Sequence, residues 1–173
     1  MLRVVRDLVA ELADAHIGAT FNQYAAAPLL RRRLREYLEA RTAAQLLLVG
    51  EAAGYRGARV SGIPFTSERQ LTGTGPAEAT ATIVHRTLAT LGLQNDVLLW
   101  NVVPTHPGTE TSNRAPTRAE VRAGLRFAVR LAAGRRVVAV GRLAAAALEA
   151  PYVRHPSHGG AAAFLSGLAA VVR

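Results

Sequence analysis

The 173-residue chain contains no cysteine and no lysine. The first absence excludes disulfides, thiolate-ligated zinc, a thiolate nucleophile and a cysteine-held iron–sulfur cluster. The second excludes the ammonium of a P-loop and a side-chain Schiff base. Long apolar runs are missing too. The longest late one, residues 161–172, is alanine-rich and broken by Ser166 and Gly167, shorter than a membrane span requires. The first residues, Met1 to Asp7, interleave charged and apolar positions at helical spacing and do not read as a leader. A cytoplasmic location is expected.

What the chain does hold is arginine. All 21 of its basic residues are Arg, against 12 acidic ones, for a net charge of +9 and a pI near 11.4. A charge of that size points to a polyanionic partner, and nucleic acid is the commonest. Half of the residues are hydrophobic and 19% are charged, with a mean hydropathy of +0.14, which excludes a disordered chain. The length suits one domain over residues 1–173, with N-terminal helices in 1–44 and an α/β core in 45–173.

Apolar periodicity predicts helices over 2–16 and 28–41, the second with Pro28 in its first turn. Gln45 to Gly50 is a short apolar run ending in glycine, the pattern of a buried parallel strand. A long Gly-rich loop follows, then a helix over 78–91, a second buried strand over 96–103 and a Pro-, Thr- and Asn-rich loop over 104–116. Thr117-Arg118-Ala119-Glu120 is a capping box opening a helix to about Ala133. Strand 136–141, helix 143–149, a brief strand 152–154 and a last helix complete the chain. The alternation predicts a three-layer α/β/α fold with a central, roughly four-stranded parallel sheet. Ligands then sit beyond the carboxyl ends of the strands, in the loops after Val49, Val103, Val140 and Arg154.

Those loops carry Gly50-Glu51-Ala52-Ala53-Gly54, Gly62-Ile63-Pro64-Phe65-Thr66-Ser67-Glu68, Asn101-Val102-Val103 and His155-Pro156-Ser157-His158-Gly159-Gly160. In this order and spacing, from about Leu46 to Phe164, they resemble the uracil-DNA glycosylase superfamily. Gly50-Glu51-Ala52 and Asn101-Val102-Val103 look like family four, and Arg59 to Glu68 looks like family five. The chain departs from both: it lacks the cysteines of their iron–sulfur cluster, and Ala53 stands where their first motif has proline.

The resemblance implies a DNA repair enzyme of base excision repair, one that flips uracil out of DNA and hydrolyses its N-glycosidic bond. An abasic site is left, with no cofactor and no metal used. That reaction must stabilise a departing uracil anion and a sugar cation and supply a water. His155 is similar to the histidine that donates toward uracil O2. A carboxamide at Asn101 offers a donor beside an acceptor, matching uracil O4 and N3–H and mismatching cytosine. Phe65 is similar to the aromatic on which the flipped base stacks. Two carboxylates compete for the water or the sugar cation, Glu68 at the end of the Phe-Thr-Ser-Glu segment and Glu51 in the first motif. Ala52 and Gly54 fall on the base pocket, and Gly54 stands where a tyrosine often blocks the thymine methyl. Ser157, His158 and Gly159, with Arg56, Arg59 and Arg114, are the expected DNA contacts. The arginines at 31, 32, 33 and 35 read as a solvated helix face.

Each of these residues also has a plainer use, Asn101 as a loop cap, Phe65 as a core plug and either glutamate as surface charge. Two other functions stay open: a non-catalytic binder of damaged or abasic DNA, and a glycosylase for another deaminated base such as hypoxanthine or xanthine. The expected partner in each is DNA, bound by a monomer, with no membrane.

Overall fold

The computed structural model describes residues 2–173, and Met1 lies outside them. Four parallel strands, β1 (Leu46–Ala52), β2 (Val97–Val103), β3 (Arg136–Val140) and β4 (Tyr152–Val153), form one sheet in the order β2-β1-β3-β4. Strands this apolar are buried on both faces, as a parallel sheet needs. On one face Leu46, Leu48, Val97 and Leu99 meet α5 (Ala79–Thr90) and α8 (Ala161–Val172) through Val84, Leu88, Phe164 and Leu168. On the other, Leu47, Val49, Leu98 and Trp100 meet α1 (Leu2–Ala13), α2 (Pro28–Ala40), α6 (Arg118–Ala132) and α7 (Arg142–Leu148). This is the three-layer α/β arrangement with a four-stranded parallel sheet that the alternation predicts. Among the described residues, no helix is long and apolar enough to cross a membrane.

Several boundaries differ from the sequence reading, each for a local reason. The first helix stops at Ala13, where Asn22 turns its side-chain amide onto the carbonyls of Leu12 (2.8 Å) and Ala15 (3.0 Å). Strand β1 runs past Gly50, because Gly50 and Ala52 still pair with Asn101 and Val103. The Gly-rich loop contains two short helices, α3 (Ala58–Ser61) and α4 (Glu68–Thr72), each closed by a left-handed glycine, Gly62 and Gly73. The capping box of α6 forms as expected, with Thr117 Oγ1 accepting from the Glu120 amide and Glu120 accepting from the Thr117 amide.

The arginine run on α2 is a solvated face only in part, with Arg32 exposed beside Glu36. Arg33 holds Glu68 through two bonds of 2.8 and 3.0 Å, and Arg31 donates to the carbonyls of Tyr24 and Ala25. Strand order reverses beside β1, whose two neighbours are β2 and β3. In an open α/β sheet the crevice outside the carboxyl ends at such a reversal is where ligands bind.

Candidate active site

A cavity of about 380 Å³ opens at that crevice, beyond the ends of β1 and β2. Its size suits one nucleobase with a share of its sugar. Phe65, Asn101, Glu51, Ala52, Gly54, Arg114, His155, Ser157 and His158 all line it. These come from the ends of β1 and β2 and from the loops after β1, β2 and β4, so the topology brings together what the chain holds apart.

Phe65 forms one wall. Its backbone sits at φ +53°, a region non-glycine residues seldom adopt. The loop around it supplies the restraint: Ser61 Oγ donates to the Thr66 carbonyl at 2.6 Å, Tyr24 Oη donates to the Gly62 carbonyl at 3.0 Å, and the Thr66 hydroxyl meets the His85 ring at 3.1 Å. Burial pushes the His85 imidazole below its ordinary value, which keeps this brace neutral. The Phe65 ring lies over Gly50, where a β-carbon would come within 2.3 Å of its Cζ.

Asn101, buried near the end of β2, is Gly50's partner in the sheet register. Side chains at 50 and 101 therefore point to the same face, and the glycine leaves the carboxamide uncovered. Among the described residues nothing bonds to that carboxamide, so its donor and acceptor face the cavity.

The His155 ring is held from behind. Its Nδ1 accepts from the Ser157 amide at 3.2 Å and lies 2.7 Å from the Ser157 hydroxyl, which in turn meets His158 Nδ1 at 2.9 Å. With Nδ1 accepting, the ring's own proton sits on Nε2. Burial, and then the like charge of His158, pull its pKa below the ordinary value, so it is a neutral donor at neutral pH.

The carboxylates rearrange the expected assignment. Glu68 does not line the cavity: its ion pair with Arg33 turns it toward α2. Glu51 does line it, half-buried, and burial pushes its carboxyl up. A second acid, Glu78, was not singled out by the motifs. It precedes α5 as the N-cap residue but makes no cap bond to its own helix. Its carboxylate instead fills the notch left by two glycines, where a β-carbon on Gly54 would lie 2.0 Å from Oε1 and one on Gly57 would lie 2.3 Å from Oε2. Burial raises its pKa as well. The signal present in the sequence was the pair Gly54 and Gly57, which makes room for a distant side chain. Asn113, also unflagged, lines the cavity and accepts from the Tyr55 amide at 2.9 Å.

The expected DNA contacts divide. Ser157 and His158 reach the cavity, and exposed Gly159 follows them at φ +74°. Arg114 lines the cavity, but its guanidinium forks onto buried Glu120 at 2.6 and 2.8 Å, holding that carboxyl down at about 2. Arg59 lies outside the lining, paired with Glu110 at 3.0 Å and stacked over Phe21, and Arg56 is exposed over Tyr55. His106 is fully buried beneath the cavity floor, with Nδ1 2.8 Å from the Ala53 carbonyl and Nε2 2.8 Å from that of Thr109, so it braces two loops. Among the described residues, no three histidines or acids are grouped to hold a metal ion.

The sequence model of the uracil DNA glycosylase superfamily matches residues 38–168. No curated protein matches the chain. Among solved structures, wild-type SMUG2 of Pedobacter heparinus superposes with a TM-score of 0.68 over 97% of this chain and 98% of that one, at 13% identity, a likeness of fold.

Proposed function

Because the chain belongs to the uracil DNA glycosylase superfamily, we propose that it excises uracil from DNA as a monofunctional glycosylase. The observation that carries this reading is the meeting of the Phe65 ring, the free Asn101 carboxamide and the His155 Nε2–H around one base-sized cavity. A flipped uracil stacks on Phe65, gives its N3–H to Asn101 Oδ1 and receives Nδ2–H at O4. The C1′–N1 bond then breaks with its electron pair leaving on the base. Charge that gathers on O2 is met by the His155 N–H, a contact that strengthens as the bond lengthens.

With Glu68 turned away, the carboxylate proposed for the sugar is Glu51. It stabilises the cation at C1′ and takes a proton from the water that adds there. The products are free uracil and an abasic site. Without a lysine amine, no side chain is at hand to continue to strand cleavage. The motifs at Gly50 to Ala52 and Asn101 to Val103 support a place beside family four within the superfamily, and Glu51, the first-motif acid on the cavity wall, fits that better than a family-five carboxylate at Glu68.

Glu78 favours a second reading. A carboxylate on the cavity wall accepts from a ring N–H, which suits deaminated purines such as hypoxanthine and xanthine as well as uracil.

Single-turnover excision from oligonucleotides carrying uracil, hypoxanthine or xanthine separates these. The expected result is uracil fastest, with Asn101→Ala and His155→Ala each slower by about 10²–10³-fold and Glu51→Gln similarly impaired. A purine ranked first moves the assignment to the second reading. Tight binding of uracil-containing DNA without excision of any base makes the protein a damage binder.

A further inference from the structure

Two glycines thin one wall of the cavity, and a single side chain thickens it again. Gly54 and Gly57 bracket the turn after β1, and a β-carbon on either would collide with the carboxylate of Glu78. The surface this wall offers to the cavity is therefore that carboxylate, brought in from the start of α5. Glu68, Glu110 and Glu120 each have an arginine partner. Glu78 has none: among the described residues its carboxylate meets neither a hydrogen-bond donor nor a cation. An unpaired, half-buried carboxylate costs stability, so its use lies on the cavity side.

Which edge of a base meets it follows from the sheet order. His155 comes after β4, at one end of β2-β1-β3-β4. The Gly54–Gly57 turn is fastened to the other end. The Ala53 amide donates to the Val103 carbonyl at the close of β2 (3.2 Å), and the Tyr55 amide donates to Asn113 in the loop beyond it (2.9 Å). The two walls thus face each other across the cavity. In a pyrimidine ring C5 lies directly opposite C2. A base stacked on Phe65 with O2 turned to His155 therefore points C5 at Glu78.

We propose that Glu78 sets the limit at the 5-position of the flipped base, admitting the C5–H of uracil and rejecting the methyl of thymine. The methyl has to displace the carboxylate or strip its remaining water, which leaves a charge with neither solvent nor partner. A hydrogen at C5 does neither. The assignment rests on the uracil reading of the cavity and names the residue that separates uracil from the normal DNA base most like it. The discriminating side chain comes from a different element than the wall it covers, because Gly54 and Gly57 have none to offer.

The test pairs two measurements on the full chain, each with uracil and with thymine opposite guanine, where both bases form the same wobble pair. The first is single-turnover excision. The second is equilibrium binding to the same duplexes built with a 2′-fluoro sugar at the target, whose electron-withdrawing fluorine disfavours the sugar cation and keeps the glycosidic bond intact. Wild-type protein is expected to prefer uracil in both. Glu78→Ala is expected to cut that preference by about 10- to 200-fold, the range for one methyl-sized group in a pocket, by gaining on thymine. Glu78→Gln, equal in shape, is expected to keep most of the preference, and Glu78→Asp to fall between the two. Thermal unfolding verifies that each variant is folded. An unchanged preference in folded Glu78→Ala overturns the proposal and leaves the glycosylase reading standing. A wild-type protein that handles uracil and thymine alike overturns it too. A wild-type protein that excises neither base, yet binds the fluorinated uracil duplex over the thymine one and loses that preference in Glu78→Ala, ends the glycosylase reading and keeps Glu78 as the reader of the 5-position.

Discussion

The ring of Phe65 occupies the space that any side chain at Gly50 would need, since a β-carbon there would lie 2.3 Å from Cζ and 2.9 Å from Cε2. Neither residue is free to change by itself. The same missing side chain uncovers the Asn101 carboxamide, whose Oδ1 is 3.0 Å from that β-carbon position. Gly50→Ala therefore forces the ring off its seat and crowds the carboxamide. The expected outcome is a loss of about 1–3 kcal/mol in stability from overpacking and a drop in kcat/KM of tenfold or more, read by urea unfolding and single-turnover excision. Wild-type excision by Gly50→Ala would show that the ring does not define the base's seat.

The bond from Arg33 to Glu68 ties α2 to the start of α4, with both side chains 19% exposed. A pair this buried is there for structure, and removing one partner strands the other's charge. Glu68→Gln is expected to cost about 1–3 kcal/mol in chemical unfolding and to leave the excision rate within twofold of wild type. A folded Glu68→Gln protein that has lost excision would return Glu68 to the chemistry.

Much of this architecture was legible because the sheet is buried on both faces, so β1, β2 and β3 stand out as apolar runs and their loops as polar interruptions. The loops after β1, β2 and β4 do line the cavity. Most of what sequence reading missed depends on side-chain contacts that no local pattern announces. Nothing local says that Arg33 lies opposite Glu68, 35 residues on, or that Arg114 is spent on Glu120. Glu78 sits in a stretch of Gly, Thr, Pro and Ala with no motif around it, and its role depends on the space above Gly54 and Gly57. The short helices α3 and α4 were hidden because four- and five-residue helices show no apolar period.

Glu78 carries a stability prediction with a definite sign. Burial pushes its carboxyl above the ordinary 4.5, so between those two values the native state keeps a proton that the unfolded chain has lost. The contribution to stability is full below 4.5 and declines as pH rises through the raised native value. Glu78→Gln removes that penalty. It is expected to melt higher than wild type at pH 7, by about 2–4 °C for each kcal/mol gained, with the gain gone by pH 4. If the carboxylate reads the base, the same variant changes the ranking of uracil, hypoxanthine and xanthine. A variant that melts lower at pH 7 would mean the carboxylate has an attractive partner at neutral pH.

His155 gives the opposite slope. Burial, reinforced by the like charge of His158, lowers its pKa from 6.5, so its share of stability is full above 6.5 and is lost as pH falls toward the native value. Protonation also has a geometric cost. It places a hydrogen on Nδ1, where the Ser157 amide already points from 3.2 Å away, and two donors facing each other push the loop out of line. Excision should therefore fall on the acid side with the titration of this ring. His158→Ala removes the second cause and leaves the first. The imidazole titration followed by NMR should move to higher pH but stay below 6.5, and the acid limb of the excision profile should move with it. A limb that stays in place while the ring's titration shifts would assign the acid limb to another group and leave His155 as a donor whose charge does not govern the rate.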